Sequence, residues 1–144
     1  MFRLTTVPID PTTLRNAADN PHAGADSKCE GRVRNRHEGR RVLRLEYEAH
    51  RAVAEKEGRR SGEEATEKFG LDYAGAVHRT GSLEIGACAV MVVGSAPQRA
   101  ETFAACRFVI DEVKRRLPIW KKEFYTDGSS KWVGCAGCRG THQH

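Results

Sequence analysis

The chain has 144 residues, 39% hydrophobic and 30% charged, with a formal net charge of +5. That length suits one ordinary domain with its own core, and apolar segments separated by turn signals exclude wholesale disorder. No apolar run approaches the roughly 20 residues that span a bilayer, and residues 1–4 lack the apolar core of a signal peptide, so the expectation is a cytoplasmic protein with no membrane contact.

The five cysteines are then thiols by default. Arginine and lysine cluster at 32–44, 56–60 and 114–122, a balance that favours anionic partners. No aromatic-rich strand motif, zinc finger or recognition-helix signature accompanies them, so nucleic acid is not expected.

Phe2, Leu4 and Thr6 alternate with other residues and predict a first strand. Asp10-Pro11 is a helix N-cap followed by proline at the first helical position, and a short helix is expected to stop at Asn20-Pro21. Residues 25–33 read as a strand weakened by Asp26-Ser27-Lys28, and 34–41 as a charged loop. Val42, Leu43, Leu45 and Tyr47 belong to a strand ending near Ala49.

From His50 to Phe69 the composition is helical, but Gly58 and Ser61-Gly62 predict a kink or two pieces, with Ala52, Val53, Ala65 and Phe69 as the apolar face. Strands are expected over 73–79 and 87–93, joined across 81–86, the second apolar enough for a sheet centre.

The strongest helix runs from Gln98-Arg99 to Arg116, with Phe103, Cys106, Ile110, Val113 and Leu117 as its core stripe. Lys114 lies at the edge of that stripe, where its stem can pack while its ammonium stays free. Leu117-Pro118 ends the helix, and 119–125 with 131–133 form a hairpin around Thr126-Asp127-Gly128-Ser129. Short strand connections among interleaved helices predict an α+β fold. The domain is taken as 1–133, and 134–144 as a flexible tail without core residues.

Four places hold candidate chemistry. Gly31-Arg32-Val33-Arg34 sets two arginines on one side of a strand end, where guanidinium forks grip a phosphate, although charged edge strands show the same pattern. Arg99 stands at a helix N-terminus, a position suited to anions, or to an exposed residue of a capping loop. Lys114 and Lys121 flank a rigid corner built on Pro118 and Trp120, and converging lysines lower one another's proton affinity. Cys135, Cys138, His142 and His144 are zinc-ligand types, but their pairs lie closer than in usual structural modules and no strand or helix supports them.

These pieces resemble the large, catalytic subunit of molybdopterin synthase over nearly the whole chain. The likeness is carried by Gly31-Arg32-Val33-Arg34-Asn35, Leu45-Glu46-Tyr47-Glu48-Ala49, His78-Arg79-x-Gly81, Arg99-x-x-x-Phe103, Ile110-Asp111-x-x-Lys114 and Pro118-Ile119-Trp120-Lys121-Lys122-Glu123. It implies an α+β fold of the α/β-hammerhead type, a mixed, mainly antiparallel sheet with packed helices.

It also implies a sulfurtransferase that adds two sulfurs to cyclic pyranopterin monophosphate, forming the molybdopterin dithiolene, with no tightly bound cofactor. The donor is a ubiquitin-like small subunit with a C-terminal thiocarboxylate, and the assembly is a heterotetramer around a homodimer of large subunits. Carried onto this chain, Lys114 and Lys121 are the reactive pair; Arg32, Val33, Arg34, Gln98, Arg99, Lys122 and Glu123 contact the substrate, with Arg34 and Arg99 on its phosphate. Gln98 stands where the family usually has histidine. A relative that only binds the small subunit, or a generic polyanion-binding module, are the other readings.

Overall fold

The structure, a computed structural model, describes residues 1–134. Strands β1 (Phe2–Thr5), β2 (Ala25–Arg32), β5 (Tyr73–Arg79) and β7 (Cys88–Ala96) form one sheet in the order β1-β5-β7-β2. β1 runs parallel to β5; the other neighbours are antiparallel. Strands β3 (Arg36–His37), β4 (Arg40–Ala49), β8 (Ile119–Tyr125) and β9 (Ser130–Val133) form the second sheet, with β6 (Gly81–Glu84) on the other edge of β4. With helices α1 (Pro11–Ala17), α2 (Arg51–Phe69) and α3 (Arg99–Arg116), the architecture is the expected α+β one.

Side-chain alternation sorts the first sheet into two buried faces. Phe2, Leu4, Ala76, Val90 and Val92 point to α2 and α3, whereas Val77, Met91 and Val93 point to Leu14 and Ala18 at α1. β7 is therefore covered on both sides, which is why its residues are a continuous apolar run. A third cluster, built on Val33, Val42, Leu45, Leu83, Ala89 and Tyr125, fills the space under the second sheet.

Several expectations change: the connection expected over 81–86 holds strand β6, paired with β4, and four more differ. First, α2 is one unbroken helix, and its buried face is Ala54, Gly58, Ser61, Gly62 and Ala65, with Ala52 and Val53 exposed. The Phe2 ring lies where a Cβ at Gly58 would stand, so the glycine permits close approach instead of breaking the helix.

Second, α3 buries Thr102, Ala105, Cys106, Val109 and Val113, while Phe103 is 65% exposed. Small residues centre the stripe because α3 sits tightly on β7, where a Cβ at Gly94 would meet Ala105 Cβ at 3.6 Å.

Third, 34–41 is not a loop throughout: β3 pairs with the start of β4 across Glu38 and Gly39, whose φ values are 51° and 78°. Fourth, α1 ends at Ala17, earlier than the proline at 21 suggests. The doubtful strand residue Ser27 is buried and shares a 2.6 Å hydroxyl contact with Thr102. Among the described residues, no helix is long and apolar enough to cross a membrane.

Candidate functional site

The two sheets meet at the C-terminal end of α3, and a cleft of about 350 Å³ opens there. Each wall has a local cause. β2 ends in an irregular register between Gly31 and Arg32, turning Arg32 and Arg34 toward the opening. The last turn of α3 presents Lys114, with Val113 and Leu117 buried behind it. Pro118 stops the helix, and β8 runs back antiparallel to β4, so that Lys121 and Glu123, two apart on one strand, face the same side. The β3 hairpin adds Arg36 and His37.

Arg32, Arg34, Arg36, Lys114 and Lys121 give the cleft a strongly positive field suited to an anionic ligand. Arg32 is partly engaged with Glu30 at 3.1 Å, whereas Arg34 and Lys114 have no ion-pair partner among the described residues. Glu112, two residues before Lys114, is held by Arg115 and Arg116, hydrogen bonds that bring its carboxyl down to about 2. Arg116 also binds Glu64, which ties α3 to α2 and keeps Glu112 off the cleft.

Among the described residues Glu123 is the one carboxylate lining the cleft, and it is 2% exposed. Its Oε1 accepts hydrogen bonds from His37 Nδ1 at 2.9 Å and from the Tyr125 hydroxyl at 2.8 Å, and Oε2 lies 3.8 Å from Lys121 Nζ. Burial pushes its proton affinity up, but the His37 and Tyr125 hydrogen bonds and the Lys121 charge outweigh that, so the net shift is downward and the group is ionised. Glu123 thus positions cations more than it meets solvent.

His78 forms the floor. Burial first, then the Lys114 charge, bring it down to about 4 against the opposing backbone hydrogen bond. Its Nδ1 donates to the Arg79 carbonyl at 2.7 Å, so the imidazole is neutral with a bare Nε2. Tyr47 meets it edge-on, ring centroids 5.0 Å apart, and burial together with Glu123 pushes the Tyr47 phenol up to about 12.

The structure therefore brings together Arg32, Arg34, Lys114, Lys121 and Glu123. Val33 does not join them: its side chain is 3% exposed, in the core beneath the second sheet. Lys122 alternates to the opposite face of β8, its ammonium 5.2 Å from the Phe124 ring and 5.6 Å from Trp132. Gln98 and Arg99 sit exposed at the far end of α3, about 22 Å from Lys114 along the helix axis. Arg36, His37, His78, Tyr47 and Tyr125 are the contributors that sequence reasoning missed. A strand period placing Tyr47 with Leu45 was the available signal for one of them. The zinc-type residues Cys135, Cys138, His142 and His144 lie outside the described residues.

Fold and cleft together give an α+β protein with a basic cleft that Lys114 and Lys121 both line. The family model for the MoaE protein matches residues 4–116. The molybdopterin synthase catalytic subunit of Staphylococcus carnosus is 39% identical over 133 residues, covering 92% of this chain and 88% of that protein. The Nostoc catalytic subunit is 35% identical over 144 residues, covering 99% and 87%. The crystal structure of molybdopterin synthase from Staphylococcus aureus superimposes with a TM-score of 0.86 at 36% identity, covering 91% of this chain and 95% of that one. The chain belongs to the MoaE family, the catalytic subunits of molybdopterin synthase.

Proposed function

We propose that this chain converts cyclic pyranopterin monophosphate to molybdopterin by accepting two sulfurs from the C-terminal thiocarboxylate of a ubiquitin-like small subunit. The observation that carries the reading is the convergence of Lys114, Lys121 and Arg34 on one cleft beside a buried carboxylate. Arg34 is the phosphate grip, with Arg32 beside it. The thiocarboxylate sulfur attacks the pterin side chain while the Lys114 and Lys121 ammonium groups stabilise developing negative charge and move protons. No resident metal or cofactor is part of this scheme.

Arg99 reaches this cleft only if a second copy of the chain presents it, which fits a homodimer at the centre of a heterotetramer, with a small subunit at each end. Gln98 accompanies Arg99 and orients substrate without titrating. The cytoplasm is the proposed location, and 1–133 the catalytic domain. The test mixes the chain with thiocarboxylated small subunit and the cyclic precursor and assays molybdopterin. Product formation supports the reading, and binding of the small subunit without product refutes it.

A further inference from the structure

We propose that His37 is a general base of this cleft, held in its working tautomer by Glu123, and that it activates the water which frees each transferred sulfur. The β3–β4 turn places it: positive φ at Glu38 and Gly39 closes a two-residue hairpin and brings His37 over β8. Its Nδ1 lies 2.9 Å from Glu123 Oε1, and the Tyr125 hydroxyl anchors that same oxygen.

A carboxylate can only accept, so Nδ1 carries the proton and Nε2 is the nitrogen left to act. The other Glu123 oxygen faces Lys121 at 3.8 Å. One buried side chain therefore fixes an imidazole and an ammonium next to each other on the wall of a single cleft. A carboxylate behind an imidazole also stabilises the imidazolium that forms when the ring takes a proton.

The chemistry rests on the function proposed above. Once the thiocarboxylate sulfur has bonded to the pterin carbon, the small subunit's acyl group is still attached to that sulfur, as a thioester. Water must remove it. As the water oxygen bonds to the acyl carbon, its proton passes to His37 Nε2, and the neighbouring Lys121 ammonium stabilises the oxyanion. The carbon–sulfur bond of the thioester then breaks, and the proton on Nε2 moves to the departing thiolate. The products are a carboxylic acid on the small subunit and a thiol on the pterin, with no net oxidation or reduction.

Substitution separates this role from simple satisfaction of a buried carboxylate. His37→Asn keeps an N–H donor where Nδ1 stands and removes the titratable nitrogen; His37→Ala removes both. With thiocarboxylated small subunit and cyclic precursor, both variants are expected to lose about 10²–10⁴-fold in turnover. Mass spectrometry should find small subunit joined covalently to pterin, and imidazole in the buffer should restore part of the turnover of His37→Ala. A His37→Asn variant within about threefold of the unsubstituted chain overturns the proposal.

If the unsubstituted chain makes no molybdopterin, the function itself has failed, and nitrogen NMR judges His37 separately. An Nδ1–H tautomer at neutral pH that is lost in Glu123→Gln supports the proposed orientation. A ring protonated on Nε2 and bare at Nδ1 overturns it.

Discussion

Glu123 Oε2 stands 3.8 Å from Lys121 Nζ, two residues back on the same strand, while burial leaves the carboxylate only 2% exposed. The ammonium is aimed by a group that does not move with solvent. Glu123→Gln removes the charge that aims it but keeps the shape, and it is expected to lower kcat on the order of 10²-fold with a smaller change in KM. Glu123→Leu in addition leaves the buried Tyr125 hydroxyl without its acceptor, at about 1–3 kcal/mol in urea unfolding. Unchanged kcat in Glu123→Gln would remove the positioning role.

Acid should destabilise the fold through His78. Its folded value of about 4 lies below the ordinary 6.5, so between these values the unfolded chain binds more protons than the folded one. Stability is therefore full above about pH 6.5 and declines toward pH 4, by up to about 3 kcal/mol. Glu123, held below the ordinary carboxylate range, adds a loss in the same direction at still lower pH. Urea midpoints measured across this range should slope less in His78→Gln, and an equal slope would contradict the assignment.

Gly58→Ala is the substitution that helix propensity recommends and packing forbids. Alanine gains about 1 kcal/mol as a helix former, but its Cβ would enter the Phe2 ring. Overpacking outweighs the gain, and a net loss of about 1–2 kcal/mol is expected in denaturant unfolding. A variant as stable as its parent would show that Phe2 can yield.

Arg99 stands a helix length from Lys114, so its proposed phosphate contact belongs to a neighbouring copy's cleft. Arg99→Ala and Lys121→Ala proteins, each inactive alone, should regain part of the turnover when unfolded together and refolded as mixed dimers. A mixture no more active than its parts would mean that the two residues do not serve a shared site across copies.

The helix bounds of α3 were legible because Pro118 forbids continuation and Gln98 follows a proline, both local facts. Its buried face was not, since hydrophobicity weights Phe103 above Thr102 and Ala105, and the close approach to Gly94 that selects small residues is a tertiary fact. α2 looked broken for the same reason: the partner that makes Gly58 favourable is Phe2, at the other end of the chain.

In the site, Lys114 and Lys121 could be paired from their own short corner. His37 could not, because its position depends on a non-glycine residue, Glu38, adopting positive φ. Lys122 shares a motif with Lys121 and Glu123, but strand alternation on β8 turns it to the outer face, against Phe124 and Trp132.

The cleft between α3 and β8 is the proposed place of sulfur transfer. The most direct test is molybdopterin formation from the cyclic precursor and thiocarboxylated small subunit by the unsubstituted chain and by Lys114→Ala, Lys121→Ala and Lys122→Ala. Product is expected from the unsubstituted chain and from Lys122→Ala, and is expected to be lost in the other two with the fold intact by circular dichroism. No product from the unsubstituted chain, or near-normal product from both Lys114→Ala and Lys121→Ala, would contradict it.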